Sequence, residues 1–375
     1  MGGFEVLRIT GRVLVGPEDV RDELWVLDGR ITFTPPVGAG ARDVRTLSGW
    51  VLPGLVDAHC HVGLASHGAV DRDTAERQIR ADRDAGALLL RDAGSPADTR
   101  WVDDRVDLPR LVRAGRHIAR TRRYIRNYGI EIEPDQLLAN VVEQAGRGDG
   151  WVKIVGDWID RDAGDLAPCW PRDVARAAIE AAHAVGARVT AHCFAESSLA
   201  DLVEAGIDCV EHATGLTDET IPLFAAHGVA IVPTLINIAT FGDIAAAAEE
   251  KFPGYGKHMR ALHARRYDTV RSAYDAGIAI YVGTDAGGSL AHGLVADEVA
   301  ELVRAGLPPL AALSAASWAA RAWLGFPGCD EGAAADLVVY PQDPRVDVRV
   351  LAAPSFIVLR GQVLDIPAKE SRPAQ

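Results

Sequence analysis

Short apolar runs alternate with longer amphipathic stretches through the middle of the chain, and this alternation predicts strands and helices in turn. Helical patterns lie at 77–85, 171–185 and 196–205, and several of the following strands are preceded by a glycine that would end a helix. Eight strand–helix units predict an α/β fold, a (β/α)8 TIM barrel with its chemistry at the C-terminal ends of the strands. An open doubly wound sheet is the rival, but no Gly-x-Gly-x-x-Gly follows the first strand. The eight predicted strands are Leu55–His61, Ala87–Arg91, Arg110–Ala114, Trp151–Val155, Arg188–His192, Cys209–His212, Ala230–Thr234 and Ile278–Thr284.

Short β patterns occupy both ends of the chain. The N-terminal ones are Phe4–Ile9, Arg12–Val15, Leu24–Leu27 and Arg30–Phe33, and the C-terminal ones are Asp336–Tyr340, Ser355–Leu359 and Arg360–Leu364. Because neither set is long enough to fold alone, we expect one small β-sandwich built from both termini. The predicted boundaries are 1–51 and 332–368 for the sandwich, 52–331 for the barrel and 369–375 for a tail, with disorder expected from Pro367 onwards.

The composition narrows the class of partner. Of the 375 residues, 48% are apolar and 24% charged, as in ordinary globular proteins, and the formal net charge is -13. This acidic balance disfavours nucleic acid or an anionic membrane as a partner. No apolar run is long enough to cross a bilayer, and the N-terminus lacks the pattern of a signal peptide. Five cysteines without C-x-x-C pairing indicate a reduced, cytoplasmic protein. The expected partner is a small-molecule substrate, and assembly into a homo-oligomer stays open.

The first central strand ends in two histidines. In Val51-Leu-Pro-Gly-Leu-Val-Asp-Ala-His-Cys-His61, the alternation of an extended strand places Asp57, His59 and His61 on one side and Cys60 on the other. Neutral imidazole is a good ligand for zinc and similar ions, so this pair could hold a metal. A single His-x-His pair also arises by chance, and the interpretation depends on ligands at other strand ends.

Later strands supply four more ligand-type side chains. A barrel would bring them to one mouth together with the first two histidines. A lone strand histidine is more often a hydrogen-bonded core group, but six such residues on five strand ends are hard to assign to chance. Alternation would turn Glu211, Cys60 and Cys193 away, so they are left out as ligands. The four are Lys153 on the fourth strand, His192 on the fifth, His212 on the sixth and Asp285 after the eighth.

In the order of these residues, the sequence resembles the amidohydrolase superfamily, with His-x-His on strand 1, Lys on strand 4, His on strands 5 and 6 and Asp on strand 8. The resemblance covers nearly the whole chain. Within the superfamily, the sequence is similar to the imidazolonepropionase-related dipeptidases, of the prolidase type (Xaa-Pro) and the Xaa-Arg type. The resembling segments are Val51-Leu-Pro-Gly-Leu-Val-Asp-Ala-His, Val152-Lys-Ile, Glu211-His-Ala-Thr, Val232-Pro-Thr, Gly283-Thr-Asp-Ala-Gly and His292-Gly with Glu298.

The resemblance implies a binuclear site, usually of zinc. The two histidines of strand 1 would bind one ion, His192 and His212 the other, and Lys153, carboxylated by carbon dioxide, would bridge them. Burial beside cations disfavours the ammonium form of a lysine, and the neutral amine can then add carbon dioxide. Two ions roughly 3.5–4 Å apart share a hydroxide and polarise a carbonyl. Asp285 would be a metal ligand and the general base and acid. The implied reaction is hydrolysis of a C–N bond in an amide, peptide, carbamate or urea.

The segment after the third strand departs from the resemblance. The dipeptidases have a glycine- and histidine-rich loop there, whereas this chain has Arg120-Thr-Arg-Arg-Tyr-Ile-Arg-Asn-Tyr128. Arginines beside tyrosines could clamp a carboxylate or an aromatic acid, and a solvated basic loop is an equal alternative. The candidate substrate contacts are Arg122, Arg123, Tyr124, Tyr128, Asn237 and His292, of which the last could equally hold a loop.

Two other functions stay open. A deaminase on the same scaffold would usually lack the strand-4 lysine and carry His-x-x-Glu after strand 5, whereas Glu196 lies one residue too far from His192. A non-catalytic assembly protein would be expected to have lost metal ligands, and all six are present.

Overall fold

A computed structural model describes residues 6–37 and 44–365 of the chain. Its strands are β1 (Val6–Leu14), β2 (Val20–Leu27), β3 (Arg30–Thr32), β4 (Val44–Pro53), β5 (Leu55–Cys60), β6 (Leu64–Ala65), β7 (Gly68–Ala69), β8 (Ala87–Asp92), β9 (Arg110–Arg113), β10 (Ile118–Arg120), β11 (Ile130–Ile132), β12 (Trp151–Val155), β13 (Asp157–Asp160), β14 (Asp165–Pro168), β15 (Arg188–Cys193), β16 (Cys209–His212), β17 (Ala230–Val232), β18 (Leu337–Tyr340), β19 (Phe356–Leu359) and β20 (Gln362–Leu364).

Helices fill most of the intervals between the central strands. None of the helices within the two described ranges combines the length and apolar character that a membrane crossing requires. They are α1 (Arg72–Asp84), α2 (Leu137–Arg147), α3 (Arg172–Ala184), α4 (Glu196–Glu204), α5 (Ile221–His227), α6 (Leu235–Ile238), α7 (Phe241–Ala248), α8 (Pro253–Asp275), α9 (Val295–Arg304), α10 (Pro309–Ala315) and α11 (Trp318–Leu324).

Strands from both ends of the chain share one seven-stranded sheet, in the order β20-β19-β18-β4-β1-β2-β3. β1 runs parallel to β4, and β18 pairs antiparallel with the other edge of β4. A glycine pair lets β1 and β4 approach, since a Cβ on Gly11 would lie 2.2 Å from the carbonyl oxygen of Gly49. The two termini thus meet as expected. The sandwich and the domain boundaries stay predictions, and Phe4 and the predicted tail from Pro367 lie outside the described residues.

Seven of the eight predicted central strands are present and lie in two parallel sheets, β5-β8-β9 and β11-β10-β12-β15-β16-β17. Every pairing in these two sheets is parallel. Parallel strands connected through helices are typical of α/β proteins, and the predicted α/β class is confirmed. Four of these strands, β5, β12, β15 and β16, carry predicted metal ligands in or just after them.

The eighth predicted strand, 278–284, is an exception, because it forms no regular strand. The segment touches β17 through an isolated bridge between Ile280 and Ile231, and just after it Ala286 forms an isolated bridge with Cys60 of β5. A Cβ on Gly283 would lie 2.4 Å from Val232 and 2.6 Å from His59, so the backbone is pressed against both neighbouring strands. This contact brings Asp285 to the end of β5, where its backbone N–H donates to the carbonyl oxygen of His59 at 2.7 Å.

Candidate metal centre

Hydrogen bonds fix the ring orientations of the two histidines at the end of β5. His59 Nδ1 lies 2.7 Å from Glu211 Oε2, and His61 Nδ1 lies 2.7 Å from the carbonyl oxygen of Gly94. Both partners are acceptors, so each Nδ1 carries the proton. Each Nε2 of a neutral ring therefore presents a lone pair, and both rings are buried.

Three electron-rich atoms meet at one point. The two Nε2 atoms of His59 and His61 lie 3.2 Å apart, and Asp285 Oδ1 lies 3.1 Å and 3.0 Å from them. Burial and Lys153 act to lower the pKa of His59, but Glu211 and Asp285 outweigh them and raise it, because the site favours positive charge. Lone pairs cannot satisfy one another, whereas a shared cation satisfies all three. Imidazole nitrogen and carboxylate oxygen are ligands that zinc takes, and these three side chains fit a divalent ion.

A second pair of imidazoles lies beside the first. His212 Nε2 lies 3.0 Å from His192 Nδ1, and the ring centroids of His212 and His59 are 5.3 Å apart. His212 Nδ1 contacts Thr234 Oγ1 at 2.7 Å, which leaves Nε2 for the centre. Burial lowers the pKa of His192 well below its usual range and that of His212 to about 3. Both rings are therefore neutral at physiological pH, which is the form that binds metals.

Left-handed backbone at the strand ends directs two of these side chains. His212 has φ of 67° and Asp285 has φ of 56°, values that residues other than glycine rarely adopt. Thr234, the hydrogen-bond partner of His212, has φ of 50°. Such conformations persist where surrounding contacts hold them, and they cluster at functional sites. The bend interrupts the alternation of β16, so the consecutive residues Glu211 and His212 both reach the centre.

Glu211 corrects the sequence-based interpretation, which turned its side chain away. Its carboxylate is wholly buried, and in addition to His59 it accepts a hydrogen bond from Arg91 at 2.6 Å. The hydroxyl of Thr190 also donates to it. Burial alone would raise the pKa of Glu211, but Arg91, followed by His59, outweighs burial and holds the pKa well below its usual range. The ionised carboxylate thereby fixes the tautomer of His59.

Lys153 lies in the middle of β12, and its side chain is buried. Burial lowers its pKa from the usual value. Its charge in turn acts to lower the pKa of all four histidines of the centre. A buried lysine with a lowered pKa has more of the neutral amine that carbamate formation requires.

The second oxygen of Asp285 is held from α6. Asn237 Nδ2 donates to Asp285 Oδ2 at 2.5 Å, so the predicted substrate contact Asn237 bonds directly to the predicted general base. The wholly buried Glu298 on α9 accepts from two backbone N–H groups at the start of α6, at 2.7 Å and 2.9 Å. Burial would raise the pKa of Asp285, but the neighbouring histidines, His59 first, hold it well below its usual range.

Comparison with known proteins identifies the family of this chain. The model of the amidohydrolase family matches residues 50–364. The chain belongs to the amidohydrolase family. An uncharacterised protein of Mycobacterium tuberculosis is 56% identical over 357 residues, which is 95% of each chain.

The solved structures that are similar to this amidohydrolase include prolidase-like proteins. A putative prolidase from Bifidobacterium longum has a TM-score of 0.83 at 23% identity, over 98% of this chain and 97% of that one. An Xaa-Pro dipeptidase with bound methionine has a TM-score of 0.80 at 21% identity, over 96% of this chain and 100% of that one. The resemblance found in the sequence is confirmed.

Around the amidohydrolase centre, backbone carbonyls engage Arg123, and the substrate contacts of Arg122 and Arg123 stay predictions. Arg123 is buried, and its guanidinium donates to three backbone carbonyls of the β13–β14 hairpin, at 2.7, 2.8 and 3.0 Å. Arg122 is exposed. The two tyrosines lie closer to the metal ligands. The Tyr124 ring centroid is 5.7 Å from that of His192, and Tyr128 lies 6.2 Å from Tyr124. Burial, and then Asp285, raise the pKa of both hydroxyls.

His292 lies against helix α1. Its Nδ1 is 2.7 Å from Asp82 Oδ2, and the other oxygen of Asp82 accepts from the backbone N–H of Gly293 at 2.7 Å. Both side chains are buried, so this pair anchors the loop before α9 to α1. These contacts support the loop-holding alternative for His292, and its contact with substrate stays a prediction.

His117 is a buried residue of the site that the sequence reasoning missed. Its ring stacks on that of His61, with centroids 4.9 Å apart and planes 8° apart. Within residues 6–37 and 44–365, neither ring nitrogen has a hydrogen-bond partner. A Cβ on Gly94 would lie 2.9 Å from His117 Nδ1, so glycine is required there. The only signal in the sequence was a histidine shortly after the third strand.

Proposed function

We propose that this amidohydrolase hydrolyses a C–N bond of a small molecule, in an amide, peptide, carbamate or urea, with two divalent cations that are zinc in the first instance. The observation that carries the proposal is the convergence of lone pairs from His59, His61 and Asp285 within hydrogen-bond distance of one another. Bound divalent ions would supply a hydroxide at neutral pH and a Lewis acid that polarises the scissile carbonyl.

The protein's own side chains hold the ions and move the proton in this proposal. The β5 histidines would hold one ion, His192 and His212 the other, and carboxylated Lys153 would bridge them. Asp285, which is ionised and partly exposed, would take the proton from the attacking water and pass it to the leaving nitrogen. The bond from Asn237 to Oδ2 keeps Oδ1 directed at the two histidines, on the side where an ion and its attacking water would lie.

The same proposal covers the architecture. The segment 278–286 lies between β17 and β5, and these contacts support closure of the parallel strands into a (β/α)8 barrel. The seven-stranded terminal sheet supports a second, smaller β unit. Five free, buried cysteines support the expected reducing, cytoplasmic setting.

A heterocycle deaminase is the second candidate, and the contacts of Glu196 argue against it. Its carboxylate lies 2.8 Å from His258 Nε2 and 2.5 Å from an Arg265 nitrogen, both on α8. It is therefore held away from the role of proton donor beside His192. The buried Lys153, whose pKa burial lowers, favours the hydrolase with a bridging carbamate.

The test is amine release by the zinc-loaded protein from N-acyl amino acids, dipeptides, carbamates and aryl ureas. We expect release that disappears in the metal-free protein. Asp285→Asn at confirmed metal occupancy should lower kcat by roughly 10²–10⁴, because the base is lost while the shape is kept. Ammonia release from heterocycles would instead support the deaminase. A metal-loaded protein inactive on every substrate of both classes would support a non-catalytic role.

A further inference from the structure

An aromatic wall, made of Tyr124, Tyr128, Trp158 and Phe194, borders the metal centre. Tyr124 and Trp158 meet edge to face with centroids 4.8 Å apart. The ring centroids of Tyr124, Trp158 and Phe194 lie 5.7 Å, 5.3 Å and 4.3 Å, respectively, from that of His192. Tyr124 and Trp158 are partly exposed, whereas His192 is buried. The wall therefore covers the solvent side of His192.

The wall also reaches the histidines of β5. The ring centroid of Tyr124 lies 5.4 Å from that of His117, and the ring of His117 stacks on that of His61 with centroids 4.9 Å apart. Tyr128 lies 6.3 Å from His117 and closes the same side. A group bound against Tyr124 would thus lie beside ligands from both halves of the centre.

Backbone carbonyls engage three of the arginines in and beside the neighbouring loop. Arg123 donates to carbonyls of the β13–β14 hairpin, Arg120 to the carbonyl of Cys169 at 3.5 Å, and Arg116 to the carbonyl of Tyr128 at 3.2 Å. Arg122 and Arg126 are exposed on the loop. The guanidinium groups of Arg116, Arg120 and Arg123 therefore donate to the protein's own carbonyls, whereas recognition of a carboxylate usually requires a guanidinium that can form a bidentate fork.

We propose that the substrate carries an aromatic ring that packs on the aromatic wall and has no free carboxylate next to the scissile bond, as in an anilide, an aryl carbamate, an aryl urea or a blocked N-aroyl amino acid. This proposal rests on the proposed C–N hydrolysis. Aromatic rings gain specific edge and face contacts with Tyr and Trp. A carboxylate would lose its hydration without a guanidinium to replace it, close to the ionised Asp285.

A matched pair of substrates tests this selection. N-benzoylglycine and its N-methylamide share the scissile benzoyl amide and differ only in the carboxylate. With the zinc-loaded protein, we expect kcat/KM for the release of glycine N-methylamide to exceed that for the release of glycine by at least about tenfold. Tyr124→Leu should raise KM for the neutral member about three- to tenfold, whereas Tyr124→Phe, which keeps the ring, should retain most of the affinity.

Binding separates failure of this proposal from failure of the proposed function. Quenching of tryptophan fluorescence by each compound measures its affinity without turnover. The part of the quenching that is lost in Trp158→Leu comes from the aromatic wall. Equal kcat/KM for the two compounds, or a higher kcat/KM for N-benzoylglycine, would overturn the substrate proposal and leave the proposed C–N hydrolysis intact. If neither compound is hydrolysed, tighter binding of the neutral member to the wall would support the proposal alone. Absence of that preference would overturn it.

Discussion

Glu211 is the buried anion that orients His59 in the proposed metal centre, so we expect Glu211→Gln to weaken both folding and metal binding. The carboxylate accepts from His59 Nδ1 at 2.7 Å through one oxygen and from Arg91 at 2.6 Å through the other. A glutamine has one amide oxygen and can accept only one of these bonds. Either His59 loses the partner that fixes its tautomer, or Arg91 loses its counter-ion.

The magnitude follows from burial. Arg91 and Glu211 are both 0% exposed, and the pair is closed from solvent. Removing one member of a buried ion pair typically costs about 3–5 kcal/mol, because the other charge is left uncompensated. Loss of a group that orients a metal-binding histidine costs roughly 10–100-fold in metal affinity. We therefore expect the apoprotein to lose about 3 kcal/mol of unfolding free energy, and the Kd for zinc to rise at least about tenfold.

Urea denaturation of the metal-free protein and zinc titration against a competing chelator measure the two effects. Glu196→Gln is the matched control, since it makes the same change in a partly exposed ion pair with His258 and Arg265. The control should cost about 1 kcal/mol or less and leave the zinc affinity unchanged. Wild-type zinc affinity in Glu211→Gln, with no greater loss of stability than in the control, would refute the role assigned to Glu211.

Three further predictions concern Gly283, Lys153 and His258. Gly283→Ala should lower the unfolding free energy by about 1–3 kcal/mol, because its Cβ would lie within 2.6 Å of atoms on both neighbouring strands. The control Gly146→Ala, which has open space around its Cβ, should be neutral or stabilising, and equal denaturant midpoints for the two variants would contradict this prediction. Lys153→Ala should lose most of its kcat and regain part of it with added short carboxylates, and undiminished turnover would exclude a bridging role. His258 has its pKa raised to about 9, chiefly by the hydrogen bond with Glu196, so its stabilisation is complete below its unfolded pKa of about 6.5 and is lost as pH rises through 9. His258→Asn should flatten that fall, which we expect to be about 1 kcal/mol or less, in urea denaturation between pH 6 and 10. Parallel curves for the variant and the wild-type protein would show that the ion pair contributes nothing.

The convergence of the predicted ligands could be foreseen from the sequence because it depends on a local rule. Side chains at the C-terminal ends of parallel strands meet, and five of the predicted ligands sit in or directly after regular strands. The strict alternation of side chains failed at Glu211. The left-handed φ of His212 could not be foreseen from the residues, since such a conformation depends on surrounding contacts, among which is the hydrogen bond with Thr234.

Contacts between distant segments decided the remaining differences. The apolar pattern of 278–284 matches a strand, but the approach to His59 that Gly283 permits leaves only isolated bridges. Arg123 lies in a loop with the composition of an anion clamp, yet the β13–β14 hairpin offers its guanidinium three carbonyls. His117 joins the site only because the chain after β9 folds back over His61.

The central claim is that the convergent side chains form a binuclear metal centre. Elemental analysis of the purified protein, after loading with zinc and removal of free ions, tests it most directly. We predict close to two ions per chain in the wild-type protein, because lone pairs of His59, His61 and Asp285 meet beside the neutral pair His192 and His212. One ion per chain would contradict the binuclear centre, and a folded protein that retains no stoichiometric metal would contradict the claim altogether.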